Sequence, residues 1–187
     1  MAGKTSSVSI VSNALIMLGD APISSFNQGG AGATAASNLY ESSYRNLLSL
    51  HRWKFATKQA KLSRLAEAPL RDDYKYQYQL PTDYVQLSNT SAGRDYMIYE
   101  DKIYTGANEL YIDYIYRINE DKLPDYFIMA LQFFFASILA IPVTGNSTRA
   151  EEYRVQYENQ MKRAKFQDST AVPNTRVQHR PFIEARY

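Results

Sequence analysis

Between Phe127 and Val143 only Gln132 and Ser137 interrupt a run of apolar residues. Phe127, Leu131, Phe134 and Ile138 recur at helical spacing, and Ile128, Phe135 and Leu139 widen the stripe. A helix apolar over so much of its circumference has to be covered on several sides. The run is shorter than the roughly 20 residues of a membrane span and is closed by Pro142. It is therefore expected as a buried core helix, with Pro124 suited to its first turn. The rest of the chain has to supply the covering elements.

Three further segments show helical spacing. From Ser7 to Leu18, Val11, Ala14, Leu15 and Leu18 share a face, and Gly19 supplies a stop. Asp20-Ala21-Pro22 then breaks the chain, and the glycine-rich stretch from Gln28 to Gly32 predicts a flexible linker. It lacks the lysine, hydroxyl and preceding strand of a phosphate-binding loop. From Thr34 to Leu50, Ala36, Leu39, Tyr40, Tyr44, Leu47 and Leu48 mark a buried face. His51 follows, where a helix C-terminus favours a cation, so a capping role is expected. The last helix is predicted to open on a capping box, Thr148-Arg149-Ala150-Glu151. Its seam is Ala150, Tyr153, Tyr157, Met161 and Ala164, and the pattern stops after Phe166.

Between these helices the period becomes two. Trp53 and Phe55 flank Lys54 in an alternation that predicts extended chain with both aromatics facing the core. Ten of the sixteen tyrosines lie between Tyr74 and Tyr116, and tyrosine suits a half-buried pleated surface. Tyr96–Tyr99 and Lys102–Thr105 around Glu100-Asp101 predict a tight hairpin. Gly106-Ala107-Asn108 turns into a strand from Glu109 to Ile118, apolar on both faces and so covered on both, one of them open to a neighbouring subunit. Interface and core outweigh a base-stacking or sugar-binding role for these tyrosines.

The expected fold is mainly α with inserted β: a four-helix bundle with a small antiparallel β-lobe between helices 2 and 3 and an extended C-terminal arm. The bundle comprises 1-52 and 122-167, the lobe 53-121 and the arm 168-187. The arm has two prolines and no periodicity, yet carries Val172, Val177, Phe182, Ile183 and Tyr187. Arg176, Arg180 and Arg186 outnumber Asp168 and Glu184. That composition predicts a segment ordered on a partner.

Composition removes most chemistry. The 187 residues include no cysteine and two histidines, His51 and His179, far apart in sequence. Thiolate chemistry is excluded, and histidine-rich zinc sites and serine triads have little material. A net charge of +2 does not fit nucleic-acid binding by the whole molecule. Met1 to Ser7 shows no secretion-signal pattern. Paired carboxylates are the remaining enzymatic option, from Asp72, Asp73, Asp83, Glu100 and Asp101. Their spacing is that of turn residues. No catalytic residue, cofactor or metal is expected.

Several patterns, in order, resemble the tail tubular protein A family, the head-to-tail adaptor or gatekeeper of T7-like short-tailed phages. They are the helix end Leu18-Gly19-Asp20-Ala21-Pro22-Ile23-Ser24, the junction His51-Arg52-Trp53-Lys54-Phe55 and the step Leu80-Pro81-Thr82-Asp83. The strand Tyr111 to Ile118, then Leu123-Pro124 and the apolar helix, completes the series. The resemblance covers roughly Ser9 to Lys165. It implies a helical bundle with a small β-domain, the bundle/β-lobe junction being Trp53, Phe55, Leu80, Pro81 and Asp83. It also implies a structural virion protein, made in the host cytoplasm, in a homo-oligomeric ring, normally a dodecamer. Such a ring docks on the portal protein, continues the DNA channel and carries the tail nozzle, and in some phages tail fibres. DNA passes without sequence-specific binding, and no membrane is involved. On that view Arg176, Arg180, Phe182, Ile183, Arg186 and Tyr187 are the portal-binding residues of the arm. The alternative expectation is a tail-associated hydrolase of peptidoglycan or polysaccharide.

Overall fold

The computed structural model describes residues 5–69 and 72–170. Four helices, α1 (Ser7–Met17), α2 (Ala31–Ser49), α3 (Asp125–Thr144) and α4 (Ser147–Thr170), flank six strands inserted between α2 and α3. The strands are β1 (Thr57–Lys61), β2 (Tyr76–Gln79), β3 (Tyr84–Thr90), β4 (Tyr96–Tyr99), β5 (Lys102–Thr105) and β6 (Tyr111–Tyr116). They form two antiparallel three-stranded sheets, ordered β1-β6-β3 and β2-β5-β4.

α3 packs against α1, α2 and α4, which explains its near-continuous apolar sequence. Phe127, Ala130, Leu131, Phe135, Ala136, Leu139 and Ala140 are buried, while Phe134 and Ile138 are only partly so. The helix has twenty residues, more than the apolar run suggested, and by length and composition alone it could cross a membrane. Half of that stretch is buried inside the fold.

α1 ends as its sequence predicts. Gly19 takes φ +81°, and the N–H groups of Gly19 and Asp20 donate to Ile16 and Leu15 carbonyls, closing the last turn. Two residues of α4 then use carbonyls at that end: Arg149 donates to Leu18 and the Tyr153 hydroxyl to Met17.

Three local expectations are corrected. The glycine stretch is not a linker throughout, because α2 begins at Ala31, and Gly32 is buried in its first turn beside Leu15 and Val143. Trp53 and Phe55 do not lie on a strand. Trp53 precedes a 3-10 turn, Lys54–Ala56, which aims both rings at Phe127 in the helical core. The start of α4 is capped by Asn146, whose side-chain oxygen accepts from Thr148 and Arg149 N–H groups, so Thr148 already lies inside the helix.

β6 joins the two halves. Ile115, and Ile118 just beyond the strand, belong to the helical core, whereas Ile112 and Tyr114 belong to a second core with Leu62, Tyr78, Leu80, Ile103 and Leu110. The buried residues of this strand are thus divided between two cores of the same chain, while Tyr111 stays exposed. Tyr96–Tyr99 and Lys102–Thr105 form the expected hairpin, with Glu100 at φ +54° in its turn.

Candidate functional site

The residues expected to mark one junction fall into two groups. Trp53 is fully buried, donates through Nε1 to the Leu47 carbonyl, and sits edge-on to Phe127 at 4.9 Å. Phe55 is half-buried against Phe127 and Tyr126. Both belong to the helical side. Leu80 lies in the second core, its N–H donating to the Asp101 carbonyl, while Pro81 opens the turn into β3. Asp83 binds Lys58 Nζ at 2.6 Å and the Tyr114 hydroxyl at 3.0 Å, and its carbonyl accepts from Arg117 N–H. Burial opposes its ionisation, but the Lys58 and Tyr114 hydrogen bonds win and hold it below the usual carboxylate range.

Arg117, just past β6, makes the link between helices and sheet. Its guanidinium reaches Glu41 on α2 at 2.9 Å and Glu120 at 2.8 Å, donates to the Ile118 carbonyl, and lies 4.1 Å from the centre of the Tyr44 ring. Tyr44 donates to the same Ile118 carbonyl, and Tyr40 donates to Glu120. Desolvation pulls against the charge on Arg117, yet the two carboxylates raise its pKa above the ordinary value, so the cation is locked in place. Burial, followed by Glu120, pushes the Tyr40 hydroxyl well above the usual phenol range.

A second link was concealed in the expected arm. α4 continues to Thr170, so Asp168 is not the start of an extended segment. Its carboxylate is 1% exposed and accepts from the Lys54 N–H and the Tyr126 hydroxyl, with His51 Nε2 3.7 Å away. Met161, Ala164 and Asp168 continue the helical seam at its own spacing, which was the available signal. Tyr126 is pushed up to about 12, first by burial and then by the Asp168 charge. His51 itself lies just past the end of α2. α2 ends at Ser49, and burial outweighs the attraction of Asp168 and keeps the imidazole below its ordinary value. Arg176, Arg180, Phe182, Ile183, Arg186 and Tyr187 lie outside the described residues.

Three of the five candidate carboxylates, Asp83, Glu100 and Asp101, share no hydrogen-bond partner. Asp83 is taken by Lys58 and Tyr114, Asp101 by the Gln79 amide, and Glu100 sits exposed in the β4–β5 turn. Among the described residues no group of three or more His, Asp or Glu side chains could hold a metal ion. One surface depression is lined by Lys61, Arg64, Tyr78 and Glu109, where Lys61 and Glu109 form an exposed ion pair, and another lies between α3 and α4, lined by Met129, Phe133, Gln156, Asn159, Gln160 and Arg163. Nothing in the second lining pairs an acid with a base. No protein-family model matches the chain, and no curated protein matches it in sequence.

Proposed function

We propose that this chain is a structural subunit of the head-to-tail adaptor ring of a short-tailed phage, located at the head-tail interface of the virion, and that it is not an enzyme. The observation that carries the reading is where its motif residues fall. Leu18-Gly19-Asp20 closes α1, Trp53 links α2 to the sheets, and Leu80-Pro81-Thr82-Asp83 leads into β3. Each is a joint between elements, in the order helix, helix, β-lobe, helix, helix. We take the helices packed around α3 as a four-helix bundle from which the lobe projects.

In the assembly, neighbouring bundles pack laterally in a ring, normally of twelve, which docks on the portal protein, continues the DNA channel and carries the tail nozzle. Head-to-tail packing needs two different faces per subunit. Exposed Ile16 and Leu39 on α1 and α2, and Met129 and Val155 on α3 and α4, supply apolar surface on separate helices. The C-terminal residues Arg176, Arg180, Phe182, Ile183, Arg186 and Tyr187 engage the portal, their arginines pairing with acidic residues. A hydrolase would need a carboxyl held above its usual range, whereas Asp83 is held below it.

Native mass spectrometry of the purified chain, alone and mixed with its cognate portal, tests the reading. A discrete ring-sized assembly, free or formed on the portal, is expected. A monomer that ignores the portal would overturn it.

A further inference from the structure

The last turns of α4 and the stretch after α2 meet at Asp168, which accepts from the Lys54 N–H and lies 3.7 Å from His51 Nε2. Lys54 Nζ also donates to the Ser169 carbonyl at 2.6 Å. Burial depresses the His51 imidazole and Asp168 opposes it, while Lys165 and Lys54 add to the depression, which places both cations beside the ring. Arg52 and Lys162 are exposed on the same two segments. The corner is therefore cationic.

That charge is not neutralised within the described residues. No described acid forms an ion pair with Arg52, Lys54, Lys162 or Lys165. Asp168 is buried and already holds the Lys54 N–H and the Tyr126 hydroxyl, and Glu158, one turn before Lys162, is held by Arg154. Nor do Lys162 and Lys165 serve the end of α4, whose last turn carries no basic residue.

Two large apolar side chains stand exposed on the same segments, Phe166 at 70% and Leu50 at 47%. Charge and apolar surface together select the occupant. A basic partner is repelled, and a second copy of this corner sets like charges against each other. A nucleic-acid duplex offers phosphates to the cations but leaves both apolar side chains uncovered. An acidic protein segment with apolar residues between its carboxylates satisfies both.

We propose that Leu50, Arg52, Lys54, Lys162, Lys165 and Phe166 form a docking surface for an acidic, partly apolar segment of another protein. The inference does not rest on the adaptor reading.

Fluorescence anisotropy on the full-length protein at low salt tests it with three labelled probes. They are a peptide of glutamates around a central Leu-Phe pair, a polyglutamate of equal length and a short duplex of random sequence. The Leu-Phe peptide should bind about tenfold more tightly than polyglutamate, through burial of apolar surface, and Phe166→Ser should remove that margin. Arg52→Glu with Lys162→Glu should weaken the peptide about tenfold. Arg94→Glu with Lys102→Glu, the same change of charge on the lobe, should leave it unaltered, with circular dichroism confirming that both variants fold. Equal losses in the two charge variants, or no binding of the peptide, overturn the proposal. Duplex bound more tightly than the peptide at the same ionic strength also overturns it and assigns the corner to nucleic acid. Ring formation in the native mass spectrum is a separate readout, so the adaptor reading stands or falls on its own.

Discussion

The backbone N–H of Lys54 lies 3.0 and 3.2 Å from the two carboxylate oxygens of Asp168, tying the last turn of α4 to a turn 114 residues earlier. The pair fixes the end of α4 at the point where α2 hands over to the sheets. Removing the acceptor strands a buried N–H and the Tyr126 hydroxyl together. Asp168→Ala is expected to cost about 3 kcal/mol, and Asp168→Asn less, because an amide oxygen still accepts. Urea unfolding should show a lower midpoint at unchanged slope.

The same contact divides two truncations that differ by three residues. A chain ending after Thr170 keeps Asp168 and should unfold at a midpoint close to that of the full protein. A chain ending after Gln167 loses the acceptor, and it should fall by at least as much as Asp168→Ala. Circular dichroism of both during thermal unfolding checks this.

His51 makes stability depend on pH. Burial holds its folded pKa below the ordinary 6.5, so the unfolded chain binds the proton more readily. Its contribution is fully present above about 6.5 and is lost as pH falls through the folded value. Stability should therefore decline on acidification through that window, and His51→Gln should flatten the decline. Unfolding midpoints from pH 8 to pH 5 measure the slope.

Arg117 holds two carboxylates, a carbonyl and an aromatic face with one planar group. Lysine cannot reproduce that fork, so Arg117→Lys should cost about 2 kcal/mol. Most of the loss comes from Glu120, whose side chain is 15% exposed, because Glu41 at 53% is screened by solvent. Glu41→Gln should accordingly cost less than Glu120→Gln in the same unfolding assay.

Gly32 is a packing glycine. A Cβ there would lie 2.7 Å from Leu15 Cδ2 and 3.2 Å from Val143 Cγ2. Gly32→Ala should lower stability by about 1–2 kcal/mol despite alanine's better helix propensity. Combined with Leu15→Ala, the loss should be smaller than the sum of the two single effects.

Local periodicity was enough to place all four helices, the β4–β5 hairpin and the two-sided strand β6, because a repeat of 3.6 or 2 follows from backbone geometry alone. The α1 stop at Gly19 was equally readable, since a left-handed residue at a helix end favours glycine. Partners distant in sequence were not. Nothing near Glu41 indicates Arg117, and nothing near Lys54 indicates Asp168, for the partners are 76 and 114 residues apart and meet only in the tertiary fold. The Trp53-Lys54-Phe55 alternation suits a strand, but the helical core claims both rings through a 3-10 turn. Asn146 rather than Thr148 caps α4 because α3 ends at Thr144 and is capped by Gly145, whose positive φ leaves Asn146 placed to accept. Sequence determined which segments are helix or strand and which faces are apolar. Tertiary structure decided which buried polar groups satisfy one another, because burying a charge is tolerable only where distant elements bring it partners.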